Sequence, residues 1–89
     1  MIERDIDVIN KLGLHARAAA KLVSTASRFN AKIELAKEHR RINAKSIMGV
    51  MMLAASQGTT LKLFIEGDDE VEAEREIEAL FQDYFGEGE

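Results

Sequence analysis

Cysteine, proline and tryptophan are absent from this 89-residue chain, and tyrosine occurs once. Without cysteine there is no disulfide framework and no thiolate metal site, a composition that suits a reducing compartment. Without proline, no helix is interrupted by a ring that lacks an N–H. Long apolar runs are missing too: none approaches the roughly 20 residues that a membrane-spanning helix needs. Residues 1–7 alternate with charges and lack the continuous apolar segment of a secretory signal. These features predict a cytoplasmic protein without membrane insertion. Basic excess is the last absence. Twelve Lys and Arg stand against sixteen Asp and Glu, a net charge of −4. Nucleic-acid binding selects a basic face, so no nucleic-acid partner is expected. Two histidines without ligand spacing predict no metal site, and nothing in the pattern asks for a cofactor.

What the chain does have is a hydrophobic share of 46%, enough for the core of a single domain over residues 1–89. Residues 1–8 alternate, with Ile2, Ile6 and Val8 on one face, and predict a strand. Residues 10–13 read as a turn. From residue 15 to about 27, Ala16, Ala19, Ala20, Val23 and Ala26 recur at helical spacing among strong helix formers. Residues 31–37 and 41–43 predict two strands, with Ile33, Leu35 and Ile42 inward and a hairpin turn at Glu38-His39. Ser46 opens a shorter helix, with Ile47, Val50, Met51 and Ala54 at helical spacing and Gly58 at its exit. Residues 60–66 alternate through Leu61, Leu63 and Ile65, a strand. Gly67-Asp68-Asp69 predicts a turn and helix N-cap. Val71, Ile77, Leu80, Phe81 and Tyr84 stripe the last helix, and residues 86–89 are expected to fray. The order is β-α-β-β-α-β-α. It predicts an α+β fold, an open-faced sandwich: a four-stranded antiparallel sheet covered on one side by three helices.

Chemistry concentrates in Gly13-Leu14-His15-Ala16-Arg17, at the junction of strand and helix. A histidine at a helix N-terminus sits among free backbone N–H groups and the positive end of the dipole. Such a place suits an imidazole that carries a phosphoryl group, with Arg17 as a bidentate phosphate clamp. Each residue also has a plainer reading: an ordinary helix-start histidine and a solvated arginine. Small neighbours at Gly13, Ala16 and Ala18 leave room for a partner to approach. His39, between Glu38 and Arg40, reads as a solvated turn residue. Ser46 reads as an N-cap, and added phosphate there would meet a helix N-terminus. Ile47, Met48, Met51 and Met52 are too apolar for one face of a short helix. Either the buried face is broad, or some of these side chains form a docking surface for several partners.

Two segments carry a resemblance. Asn10-Lys11-Leu12-Gly13-Leu14-His15-Ala16-Arg17 resembles the active-site signature of HPr, the histidine-containing phosphocarrier of the bacterial phosphoenolpyruvate-dependent sugar phosphotransferase system. Asn43-Ala44-Lys45-Ser46-Ile47-Met48-Gly49-Val50-Met51 resembles that family's regulatory-serine segment, and the order of elements matches. The resemblance implies a carrier rather than an autonomous enzyme. His15 would take a phosphoryl group on Nδ1 from phosphorylated enzyme I and pass it to the A component of an enzyme II. Arg17 would hold it, with the backbone of Ala16, Arg17 and Ala18. Ser46 would be the target of an HPr kinase/phosphorylase. Leu14, Ala20, Ile47, Met48 and Met51 would form the docking face of a monomer. The family's signature usually has proline after the arginine; here Ala18 stands there and keeps an N–H that can face the phosphate. Two alternatives keep the family: a regulatory-only phosphorelay, and a serine-phosphorylated regulator without sugar transport. A third, an RNA-binding α+β module, would need base-stacking aromatics on its sheet, where only Phe64 stands, and a basic surface.

Overall fold

Alternating side chains build four strands in the computed structural model, which describes residues 1–88. They are β1 (Ile2–Asp7), β2 (Lys32–Lys37), β3 (Arg40–Asn43) and β4 (Thr60–Glu66). Three helices intervene or follow: α1 (Ala16–Ala26), α2 (Ile47–Met52) and α3 (Glu70–Gln82). All strand pairs are antiparallel, in the order β1-β4-β2-β3. The last strand made is therefore central, and Ile65 of β4 lies between Ile2 and Ile33. Leu61, Leu63 and Ile65 are buried, while Lys62 and Glu66 between and beyond them are exposed. That alternation is a sheet with one face on the core. On the other face Arg41 lies over the Phe64 ring, 3.7 Å from its centroid, and pairs with Glu34 at 2.7 Å.

The helices confirm their places and correct some of their faces. In α1 the buried row is Ala18, Ala19, Leu22 and Ala26; Ala16 and Ala20 are exposed and Val23 is half-buried. Alanines surround this helix, so periodicity alone admits two neighbouring stripes. Leu22 decides between them, because its larger apolar area gains more from burial. In α2 only Val50 is buried, and the helix stops at Met52, before Ala54. Ala54 is exposed at φ +50° and Leu53 is buried instead. The end is set from outside. Lys37 Nζ donates to the carbonyls of Leu53 (3.2 Å) and Ala54 (3.3 Å), and the Arg40 guanidinium donates to Met52 O (2.5 Å). These cations satisfy carbonyls that a longer helix would have paired.

In α3 the buried row is Ala73, Ile77 and Phe81, with Leu80 half-buried; Val71 and Tyr84 are exposed. Val71 lies off that four-residue row, and Tyr84 lies beyond the helix end. Asp69 occupies the N-cap position but makes no capping bond with its side chain. Its carboxylate accepts instead from the N–H groups of Asn30 (2.8 Å) and Ala31 (2.9 Å), tying α3 to the start of β2. The tail departs most from expectation. Where the composition predicts a loose end, Phe85 is fully buried against Phe81 at 4.8 Å between ring centroids, and the N–H groups of Gly86 and Glu87 donate to Asp83 O and Tyr84 O at 2.9 Å. Lys21 Nζ donates to Phe85 O at 2.6 Å. Glu89 lies outside the described residues. No described helix is long and apolar enough to cross a membrane.

Candidate functional site

The turn before α1 is fixed by two residues. Gly13 has φ +68°, and a Cβ there would stand 2.4 Å from Ala55 O, so only glycine fits. Asn10 is fully buried and donates through Nδ2 to Gly13 O at 2.8 Å. Leu14 N–H then donates to Ala55 O at 2.9 Å, which turns the Leu14 side chain inward. Leu14 is only 5% exposed, so of the five residues expected at a docking face it belongs to the core.

His15 follows as the N-cap of α1, in extended backbone. Its Nδ1 accepts the backbone N–H of Arg17 at 3.3 Å. The first helical bond runs from Ala19 N–H to His15 O at 2.8 Å. The N–H groups of Ala16, Arg17 and Ala18 therefore come before any helical carbonyl that could take them. Arg17 is exposed, and its guanidinium makes no ion pair among the described residues. A ring nitrogen, the N–H groups of the first turn and an exposed arginine thus belong to one helix end, residue types suited to an anion.

One member of the site was not foreseen. Nε2 of His15 is in contact with the Glu87 carboxylate. Asn10 Nδ2 also donates to Glu87 Oε1 at 3.2 Å. Burial raises the Glu87 carboxyl, but hydrogen bonds from His15 and Asn10 and the charges of His15 and Lys21 outweigh it. The net result is a value below the ordinary 4.5. No local pattern announces this contact, which joins residues 72 positions apart. The only signal available is Phe85, a large apolar residue in a segment otherwise free to fray.

Ser46 is the N-cap of α2, with Oγ accepting from Gly49 N–H at 3.1 Å. Ala20, Ile47, Met48 and Met51 are exposed, Met48 at 72%. Met52 (55%), named with the other apolar residues of its helix from the sequence, is exposed too, and Leu12 (67%), which was not among the expected docking residues, adds to the exposed apolar residues flanking His15 and Ser46 in sequence. His39 is exposed in its turn. Among the described residues no three His, Asp or Glu side chains are grouped to hold a metal ion.

Comparison with known proteins places this site in context. Residues 2–83 match a family model described as the PTS HPr component phosphorylation site. The chain is 52% identical to the phosphocarrier protein HPr of Neisseria meningitidis, over the whole length of both. It is 50% identical to a crystallised HPr from Thermoanaerobacter tengcongensis, covering 98% of each chain with a TM-score of 0.94. A second structure from that organism, described as an HPr dimer, aligns with a TM-score of 0.79 at 50% identity, over 98% of this chain and all of the other.

Proposed function

The chain belongs to the HPr family of phosphocarrier proteins, and from that premise we propose that it carries a phosphoryl group on His15 between enzyme I and the A component of an enzyme II. The observation that supports this most directly is His15 at the N-cap of α1, its Nδ1 facing the Arg17 N–H and the exposed Ala16 and Arg17 following it. Transfer between nitrogens in line requires mainly positioning and charge stabilisation, and both are supplied at a helix N-terminus. Arg17 clamps the bound group. The protein does not itself catalyse a net reaction; its partners supply the remaining groups. It works in the cytoplasm as a monomer, which leaves the face of Ala20, Ile47, Met48 and Met51 open to successive partners. Light scattering at micromolar concentration reads that state directly.

Ser46 is the regulatory site of the same reading. Its Oγ now caps α2 through Gly49 N–H, and a phosphate there keeps that bond while adding charge beside the exposed methionines. An HPr kinase/phosphorylase is the expected enzyme. Docking of partners weakens because a dianion then stands in an apolar interface.

Incubation with phosphoenolpyruvate and a bacterial enzyme I, followed by intact mass, tests the carrier reading. One added phosphate, lost in acid and absent in His15→Ala, is expected. No gain in mass, with a control carrier phosphorylated in the same tube, rejects it.

A further inference from the structure

We propose that Glu87 is a positioning residue for His15: its carboxylate accepts a hydrogen bond from Nε2–H and so fixes the tautomer in which the Nδ1 lone pair is the nucleophile. The chemical consequence rests on the phosphocarrier reading; the tautomer does not.

Two contacts on opposite sides of the ring carry the inference. A backbone N–H can only donate, so Nδ1, facing Arg17 N–H at 3.3 Å, is the acceptor. In the neutral ring the single proton then belongs on Nε2, where the Glu87 carboxylate is waiting for it. The partner of one ring nitrogen sets the role of the other. The carboxylate is itself held by Asn10 Nδ2, and the same amide holds Gly13 O. One buried side chain therefore couples the turn that presents His15 to the group that orients it. Lys21 of α1 is the further charge acting on the carboxylate. Arg17, also of α1, is exposed and free of it.

The backbone that delivers Glu87 is unusual. Tyr84, Phe85 and Gly86 have φ of +56°, +54° and +76° in succession. Two consecutive non-glycine residues in the left-handed region are disfavoured, and such outliers persist only where their surroundings over-determine them. Here Phe85 is locked in the core and its carbonyl is bound by Lys21. The turn reverses the chain after α3, and Glu87 then lies over His15.

The transfer step balances without moving the Nε2 proton. The Nδ1 lone pair forms a bond to phosphorus as the donor's bond to phosphorus breaks and its electron pair returns to the donor. The His15 ring now carries a positive charge with its proton still on Nε2, opposite the Glu87 carboxylate. When an acceptor nucleophile attacks, the electron pair of the Nδ1–phosphorus bond returns to Nδ1. The ring is neutral again in the tautomer it began with, ready for another cycle.

The test is long-range ¹H–¹⁵N NMR of the unphosphorylated protein, comparing wild type with Glu87→Ala and Glu87→Asp, the amide spectrum confirming the fold of each. The wild-type neutral ring is expected with its proton on Nε2. Losing one charge-assisted hydrogen bond shifts the tautomer ratio of Glu87→Ala about tenfold toward Nδ1–H. The shorter Glu87→Asp, which keeps the charge, recovers part of the shift. Initial rates of phosphorylation by enzyme I fall in the same order. A ratio unchanged within about twofold in Glu87→Ala overturns the proposal, whatever the transfer rate. A shifted ratio in a protein whose wild type takes no phosphate supports the positioning role and rejects the carrier reading instead.

Discussion

A single hydrogen atom decides what residue 13 can be. Gly13→Ala puts a methyl group 2.4 Å from Ala55 O in a backbone that disfavours any side chain. The expected cost is about 2 kcal/mol or more, read as a lower denaturant midpoint, with slower phosphorylation because His15 is displaced along with its turn. Asn10→Ala removes the donor to Gly13 O and Glu87 from a fully buried position. A loss of about 1–3 kcal/mol is expected; a midpoint within error of wild type would show that this amide holds nothing together. The N-cap places of His15 and Ser46 were legible at this scale because each is announced by its neighbours: a glycine turn before, or an apolar helical run after. Glu87 was not. Its role comes from a partner across the chain, and the polar tail around it has the composition of a segment that frays. Leu14 was misplaced for a related reason, since the inward direction of its side chain follows from the Ala55 contact and not from its apolar character.

Helices teach a different lesson from the turns between them. The existence and order of α1, α2 and α3 follow from periodicity, yet the faces of α1 and α3 came out shifted. An alanine-rich helix presents a weak contrast between its sides, and only packing against larger residues such as Leu22 selects one. The early end of α2 was invisible for another reason: Lys37 and Arg40, which hold its last carbonyls, lie on other elements. At the head of α1, Ala18 is the third helical residue, and its N–H precedes the first helical bond. Ala18→Pro therefore removes no helical hydrogen bond, and far-UV circular dichroism is expected to be unchanged. On the reading in which the Ala18 N–H, buried in the unphosphorylated protein, becomes a donor to the phosphate, the phosphohistidine decays faster. An equal lifetime in the two proteins would show that the Ala18 N–H does not touch the phosphate.

Over the whole molecule, stability in acid is expected to follow the carboxylates held below their ordinary values, Asp69, Glu70 and Glu87. Hydrogen bonds from the Asn30 and Ala31 N–H groups, against a desolvation penalty, hold Asp69 below its ordinary 3.8. Glu87, resisting its burial through His15 and Asn10, is held below 4.5. A depressed carboxyl stabilises the fold above its unfolded pKa, and that contribution disappears as pH falls through the lower folded value. Stability is thus expected to be independent of these groups near neutrality and to fall from about pH 4.5 downward. Asp69→Ala should flatten that limb, which denaturant midpoints measured from pH 6 to pH 3 would reveal; an unchanged slope would assign the acid transition to other carboxylates. The β-α-β-β-α-β-α order and its antiparallel sheet were readable from strand spacing alone. The central place of β4 has a consequence in time. β1 pairs with β4 and with no other strand, and β2 finds its second partner there. A ribosome that has made residues 1–59 has made three strands: β2 and β3 can pair as a hairpin, but β1 pairs with neither, and their apolar faces wait on a segment still unmade. The sheet closes in one late event, and until it does the nascent chain is open to chaperones, proteases and its own copies.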